Sequence, residues 1–150
     1  MTQNPLGWLA PIGRALLAAI FILSGVDKLQ HWSDTAQVMA DRGLPAVDAL
    51  LSIAVGLELV GGIMVLIGLY ARWGAAVLLA FLVPVSLIMH NFWAAPEPRQ
   101  MTEMIHFMKN ASIAGGLVFV LAVGAGPVSI DALRRRKPLG PAPTISVSVE

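Results

Sequence analysis

Lys28, Glu58, His90, His106 and Lys109 are ionisable residues set in long apolar stretches, and the amide of Asn110 joins them. A glutamate and a lysine in such surroundings make an ion pair or a site that takes and gives protons. Histidine and lysine donate hydrogen bonds to a carbonyl oxygen, and histidine or glutamate can relay a proton. His106 and Asn110 are four residues apart and share a helical face, with Lys109 beside them. A structural alternative stands beside each: Glu58 a neutral carboxyl that fixes helix packing, Glu58 and Lys109 a purely structural pair, Lys28 a side chain that snorkels outward. Two histidines and one glutamate can hold a metal, but no H-x-x-x-H or H-E-x-x-H spacing occurs, and no metal is assigned. The chain has no cysteine, which excludes disulfides, thiolate metal sites and a cysteine nucleophile. No Walker loop occurs, Gly124-x-Gly126 is too short for a dinucleotide fingerprint, and no Ser/His/Asp arrangement stands out.

The elements that position these residues follow from composition. Of 150 residues, 57% are hydrophobic and 13% charged. Soluble domains carry about 25% charged residues. Too few charges exist here to give each helix of a soluble bundle its polar stripe, so lipid suits the outer faces better. Four apolar stretches reach the roughly 20 residues a membrane helix needs: about 11–29, 48–70, 72–93 and 103–124. The expected fold is all-α, an antiparallel bundle of four transmembrane helices in one domain, residues 1–137, followed by a disordered tail over 138–150. Residues 31–47 read as a polar loop, Asp48 as a cap of the second helix, and Pro96 and Pro98 as barriers to helix in the third loop. The link around Tyr70-Ala71-Arg72 is short enough to make the second and third helices antiparallel neighbours. The first helix is expected to be retained rather than cleaved, because no lysine or arginine precedes Arg14.

Basic residues set the expected orientation. One side would hold Arg14, Arg72 and the run Arg134-Arg135-Arg136-Lys137; the other holds Lys28, Arg42, Arg99 and Lys109. The imbalance favours cytoplasmic termini, and the basic run reads as a membrane-edge anchor rather than a nucleic-acid patch. Trp8 and Trp73 would then mark the inner interface, Trp32 and Trp93 the outer one. Depth follows from the helical rise: Glu58 lies ten positions past Asp48, ~15 Å in, and Lys109 six past Glu103, ~9 Å in from the same face. All four helices thus deliver polar groups to the outer half. Lys109 is the expected partner of Glu58. On the inner side, Arg14, Ser129 and Asp131 are expected to clip the C-terminal segment onto the bundle through an Arg14–Asp131 pairing, with anion or headgroup binding as the alternative. Gly56, Gly61, Gly62, Gly68, Gly115 and Gly116 read as points of close helix approach.

These pieces together resemble the DoxX family of small bacterial membrane proteins. The resemblance covers the chain to about Leu133. It rests on Arg14, on Ser24-Gly25-Val26-Asp27-Lys28-Leu29 (S-G-x-x-K-L), on Glu58-Leu59-Val60-Gly61-Gly62 (E-x-x-G-G), and on Gly68-Leu69-Tyr70-Ala71-Arg72. It continues with His90, Lys109-Asn110 and the close from Gly124 to Asp131, where Pro127 departs from the pattern. The resemblance implies a four-helix bundle in the bacterial inner membrane. It also implies a link to redox partners, since relatives include a subunit of a thiosulfate:quinone oxidoreductase. Without cysteine the chain would not carry sulfur chemistry alone, and a haem on His90 and His106 stays open.

The leading expectation is a redox-associated subunit with a pocket of Glu58, Lys109, His106, His90, Lys28 and Asn110 that takes a quinone. A non-enzymatic scaffold or assembly partner is the alternative. A small-solute transporter ranks last, because no inverted repeat is evident. Expected partners are the lipid bilayer and a redox protein or a second copy of the chain, with no nucleic acid.

Overall fold

Runs of Leu, Ile, Val and Ala with few polar interruptions must satisfy their own backbone hydrogen bonds in lipid, and the helix does so within a single segment. A computed structural model describes residues 7–135, all-helical among those residues. The elements are α1 (Leu9–Gln30), α2 (Trp32–Asp41), α3 (Val47–Ile67), α4 (Ala71–Met89), α5 (Glu97–Val123) and α6 (Ile130–Arg135), with a 3-10 turn at Phe92–Ala94. Helices α1, α3 and α5, and the stretch from α4 through the 3-10 turn, are long and apolar enough to cross a membrane. α1 packs on α3, α3 on α4 and α4 on α5, while a light α1–α5 contact closes the antiparallel ring. One end of the bundle, the terminal end, holds the start of α1 and the end of α5. The opposite, distal end holds α2 and the α4–α5 connection. The expected tail over 138–150 lies outside the described residues.

Local chemistry sets the boundaries. α3 stops at Ile67 because Gly68 turns left-handed at φ +67°. Gly68 N–H then donates to Val65 and Leu69 N–H to Met64, which closes the last turn. Glycine is required there twice over, since a Cβ would lie 2.5 Å from both the Arg14 guanidinium and Ser129 Cβ.

Three sequence expectations change. Residues 32–41 form helix α2, not a loop; it buries nothing fully and stays polar on its outer face, so it gives no span-like signal. Asp48 does not cap α3: it lies within the first turn and accepts the Trp32 indole N–H at 3.0 Å. The prolines do not prevent helix near 97, because Pro96 precedes α5 and Pro98 falls in its first turn. First-turn N–H groups have no intrahelical acceptor, so a proline there removes nothing.

The packed core occupies the terminal half, where Ala18, Val65, Ala71, Ala75, Leu78 and Leu117 have no exposed surface. Close approach of α3 and α4 sustains it. A Cβ on Gly61 would meet Leu78 at 2.7 Å, and one on Gly74 would meet Met64 Cβ at 2.8 Å. Gly56 and Gly115, by contrast, face open space and are not packing devices. The bundle is therefore solid toward its termini and open toward its distal end.

Candidate functional site

The distal half encloses a cavity of about 460 Å³ lined from α1 through α5. Lys28, Glu58, His90, Lys109 and Asn110 all reach its wall, among mostly apolar neighbours such as Phe21, Leu51 and Phe81. Ile20, Ile53 and Ile88 line it too and are at the same time exposed on the apolar flank of the bundle.

Glu58 sits near the middle of α3 and is buried. Its Oε1 accepts from Lys28 Nζ at 3.0 Å and from Ser24 Oγ at 3.0 Å. Lys28 Nζ also donates to Ser24 Oγ, one helical turn back on α1. Lys28, not Lys109, is therefore the partner of Glu58. Depth along the chain suited both lysines, but α1 is the neighbour of α3, while α5 stands across the cavity. Glu58 Oε2 is buried and has no hydrogen-bond partner among the described residues.

The other wall is built by α4 and α5. Asn110 is buried and donates to Ser86 Oγ at 3.0 Å, and Ser86 in turn donates to the Leu82 carbonyl at 2.7 Å. His90 Nδ1 lies 2.9 Å from Glu103 Oε2. Its ring rests on that of His106, with centroids 5.1 Å apart. His106 itself does not line the cavity; its Nδ1 lies 3.4 Å from Lys109 Nζ.

Sequence reasoning missed Arg42 and Glu103. Arg42 follows α2 and bonds Glu103 Oε1 at 3.2 Å, the Ile88 carbonyl at 3.1 Å and Asn91 at 3.4 Å. This ties α2 over the distal mouth. Glu103 sits three residues before His106, so its place on that polar face was a usable signal. Among the described residues no group of three or more His, Cys, Asp or Glu is placed to hold a metal.

At the terminal end Arg14 and Asp131 do not make the expected ion pair with each other; each binds backbone groups instead. Buried Arg14 donates to the carbonyls of Ala125 and Val128, the latter at 2.8 Å. Asp131 accepts from the backbone N–H groups of Tyr70 at 2.8 Å and Ala71 at 3.0 Å, which caps α4. Its own N–H donates to the Gly68 carbonyl. Ser129 Oγ accepts from Ala132 N–H and so caps α6. Both ionic groups are thus occupied by backbone partners that carry no sequence signature.

The DoxX family model matches residues 9–91, a range that includes Ser24, Lys28, Glu58 and His90. The inner membrane protein YphA of Escherichia coli K12 is 31% identical over 120 residues, covering 80% of this chain and 86% of its own length. The inner membrane protein YqjF of the same strain is 29% identical over 126 residues, covering 84% and 92%. A Surfeit locus protein 4 homolog of Schizosaccharomyces pombe is 34% identical over 70 residues, 45% of this chain and 23% of that protein. No solved structure matches the chain.

Proposed function

The chain belongs to the DoxX family, as a multi-pass protein of the bacterial inner membrane, and from that premise we propose that it is a redox-associated subunit that takes a quinone-like headgroup into its distal cavity. The observation that carries this reading is the cavity itself: mostly apolar walls and a few convergent polar groups. Its volume of about 460 Å³ falls in the roughly 300–1,000 Å³ range of small-molecule sites. A quinone, when bound, supplies two-electron, two-proton chemistry. Lys109 and His90 offer N–H donors toward carbonyl oxygens. Lys28 and Ser24 hold Glu58 as a fixed hydrogen-bond acceptor. The Arg42–Glu103–His90 contacts tie the end of α2 to α5 and to His90 at the cavity wall.

The test is binding of a short-chain quinone by purified protein in lipid nanodiscs. Lys109→Met and His90→Ala are expected to weaken binding roughly tenfold, about the yield of one charge-assisted hydrogen bond. His106→Ala, which reaches the cavity only through those two residues, is expected to lose less. Affinity unchanged in every variant removes the quinone site. A defined oxidoreductase that co-purifies equally with wild type and Glu58→Gln would then favour the assembly role.

A further inference from the structure

Every ion pair among the described residues lies in the distal half: Lys28–Glu58, His31–Asp27, Arg42–Glu103 and His90–Glu103. The terminal end is different. It carries Arg14, Arg72, Arg134 and Arg135 against Asp131, the one carboxylate there among the described residues. Asp131 is committed through both oxygens to the start of α4, and Arg14 to two carbonyls.

The remaining three arginines converge. A depression of about 360 Å³ is lined by Tyr70, Arg72, Trp73, Asp131, Arg134 and Arg135, together with Gly124 and Ala125. A Cβ at Gly124, at φ +87°, would lie 3.3 Å from Arg72 Nε, so glycine leaves room for that guanidinium. Arg72 donates to the Ala122 carbonyl at 3.0 Å, and Arg134 lies over the Tyr70 ring at 4.9 Å. Neither contact neutralises a charge. Trp73 lines the depression and is exposed, and on α5, which packs against α4, Phe119 and Val123 are exposed apolar side chains one helical turn apart.

We propose that this depression binds the phosphate of an anionic phospholipid, with Arg72, Arg134 and Arg135 around the headgroup and the acyl chains along Trp73, Phe119 and Val123. Guanidinium forks match phosphate oxygens, and three converging cations with no carboxylate partner among the described residues favour an anion. The adjoining apolar face selects a lipid over free phosphate, which has the same oxygens and no chains. Sequence extends the basic run through Arg136 and Lys137.

The test uses the full chain in nanodiscs that mix phosphatidylglycerol with phosphatidylcholine, and reads the lipid retained on release by native mass spectrometry. Wild type is expected to retain phosphatidylglycerol roughly tenfold over phosphatidylcholine, about 1.4 kcal/mol. Arg134→Gln/Arg135→Gln, on an exposed six-residue helix, is expected to erase that preference with the melting temperature unchanged. Millimolar inorganic phosphate is expected to leave retention unaltered. Equal preference in wild type and the double variant overturns the site. Full displacement by inorganic phosphate overturns the lipid assignment.

Discussion

Glu58 and Glu103 both sit in apolar helices, and each is neutralised differently. Glu103 has two partners, Arg42 and His90, near the distal end. Among the described residues Glu58 has only Lys28 and Ser24 as side-chain partners. The exposures of that pair decide what happens when it is broken: 23% for the Lys28 side chain and 5% for Glu58. A lysine freed of its partner can reach the distal surface along its own stem. A glutamate freed of its partner cannot leave. Lys28→Met is therefore expected to cost about 3–5 kcal/mol, as for a buried pair left with one charge. Glu58→Gln is expected to cost only about 1–2 kcal/mol, because the remaining cation snorkels. The double change Lys28→Met/Glu58→Leu is expected to recover most of the loss. Denaturant titration in micelles measures all three, and equal losses in the two single variants would contradict this account. Sequence put Glu58 at a depth where a cation would offset part of its burial cost, with a neutral carboxyl as the alternative. It did not show which lysine, because depth is legible along one helix and the order of helices around a bundle is not.

Among the helices, the α3–α4 seam shows how backbone approach substitutes for side-chain bulk. Gly74→Ala brings a Cβ to 2.8 Å from Met64 Cβ and 3.1 Å from the Gly61 carbonyl, neither of which is a flexible tip. It is expected to destabilise by about 1–3 kcal/mol, the usual range for overpacking. Gly56→Ala meets nothing within 4 Å and is expected to stabilise by about 0.5–1 kcal/mol through helix propensity. Thermal unfolding in detergent reads both signs, and a loss at Gly56 would show that something covers that face. The turn at the end of this seam is capped from a distance by Asp131. Asp131→Ala is expected to cost about 1 kcal/mol, as for loss of an N-cap, with faster hydrogen exchange confined to the Tyr70–Ala71 turn. Exchange unchanged there would remove the capping role. The spans were legible because nothing but length and apolarity defines them. Helix α2 was not, because ten residues with a polar face resemble a loop when only apolar runs are sought.

For the molecule as a whole, the division into a packed terminal half and an open distal half places every described ion pair at one end and an excess of arginine at the other. The proposed orientation puts the arginine-rich end in the cytoplasm, where anionic lipid attracts it. With no native cysteine, single labels report without background. Asp41→Cys at the distal end is expected to react with an impermeant maleimide in intact spheroplasts. Ala132→Cys at the terminal end is expected to react only after lysis. The reverse pattern would invert the protein and move the cavity mouth to the cytoplasmic side.

The Asp131 contact with Tyr70 and Ala71 also has a meaning in time. A ribosome delivers the α3–α4 hairpin to the membrane some sixty residues before the carboxylate that caps it, the separation those two bonds span. Arg14 likewise waits more than a hundred residues for its carbonyl acceptors. If the spans insert in the order of their synthesis, the terminal end stays unlatched until residues 125–131, which bond to the first, second and third spans, have followed. A nascent chain halted after α5 is expected to be inserted yet readily cleaved at the Gly68–Tyr70 turn, and one extended through α6 to resist.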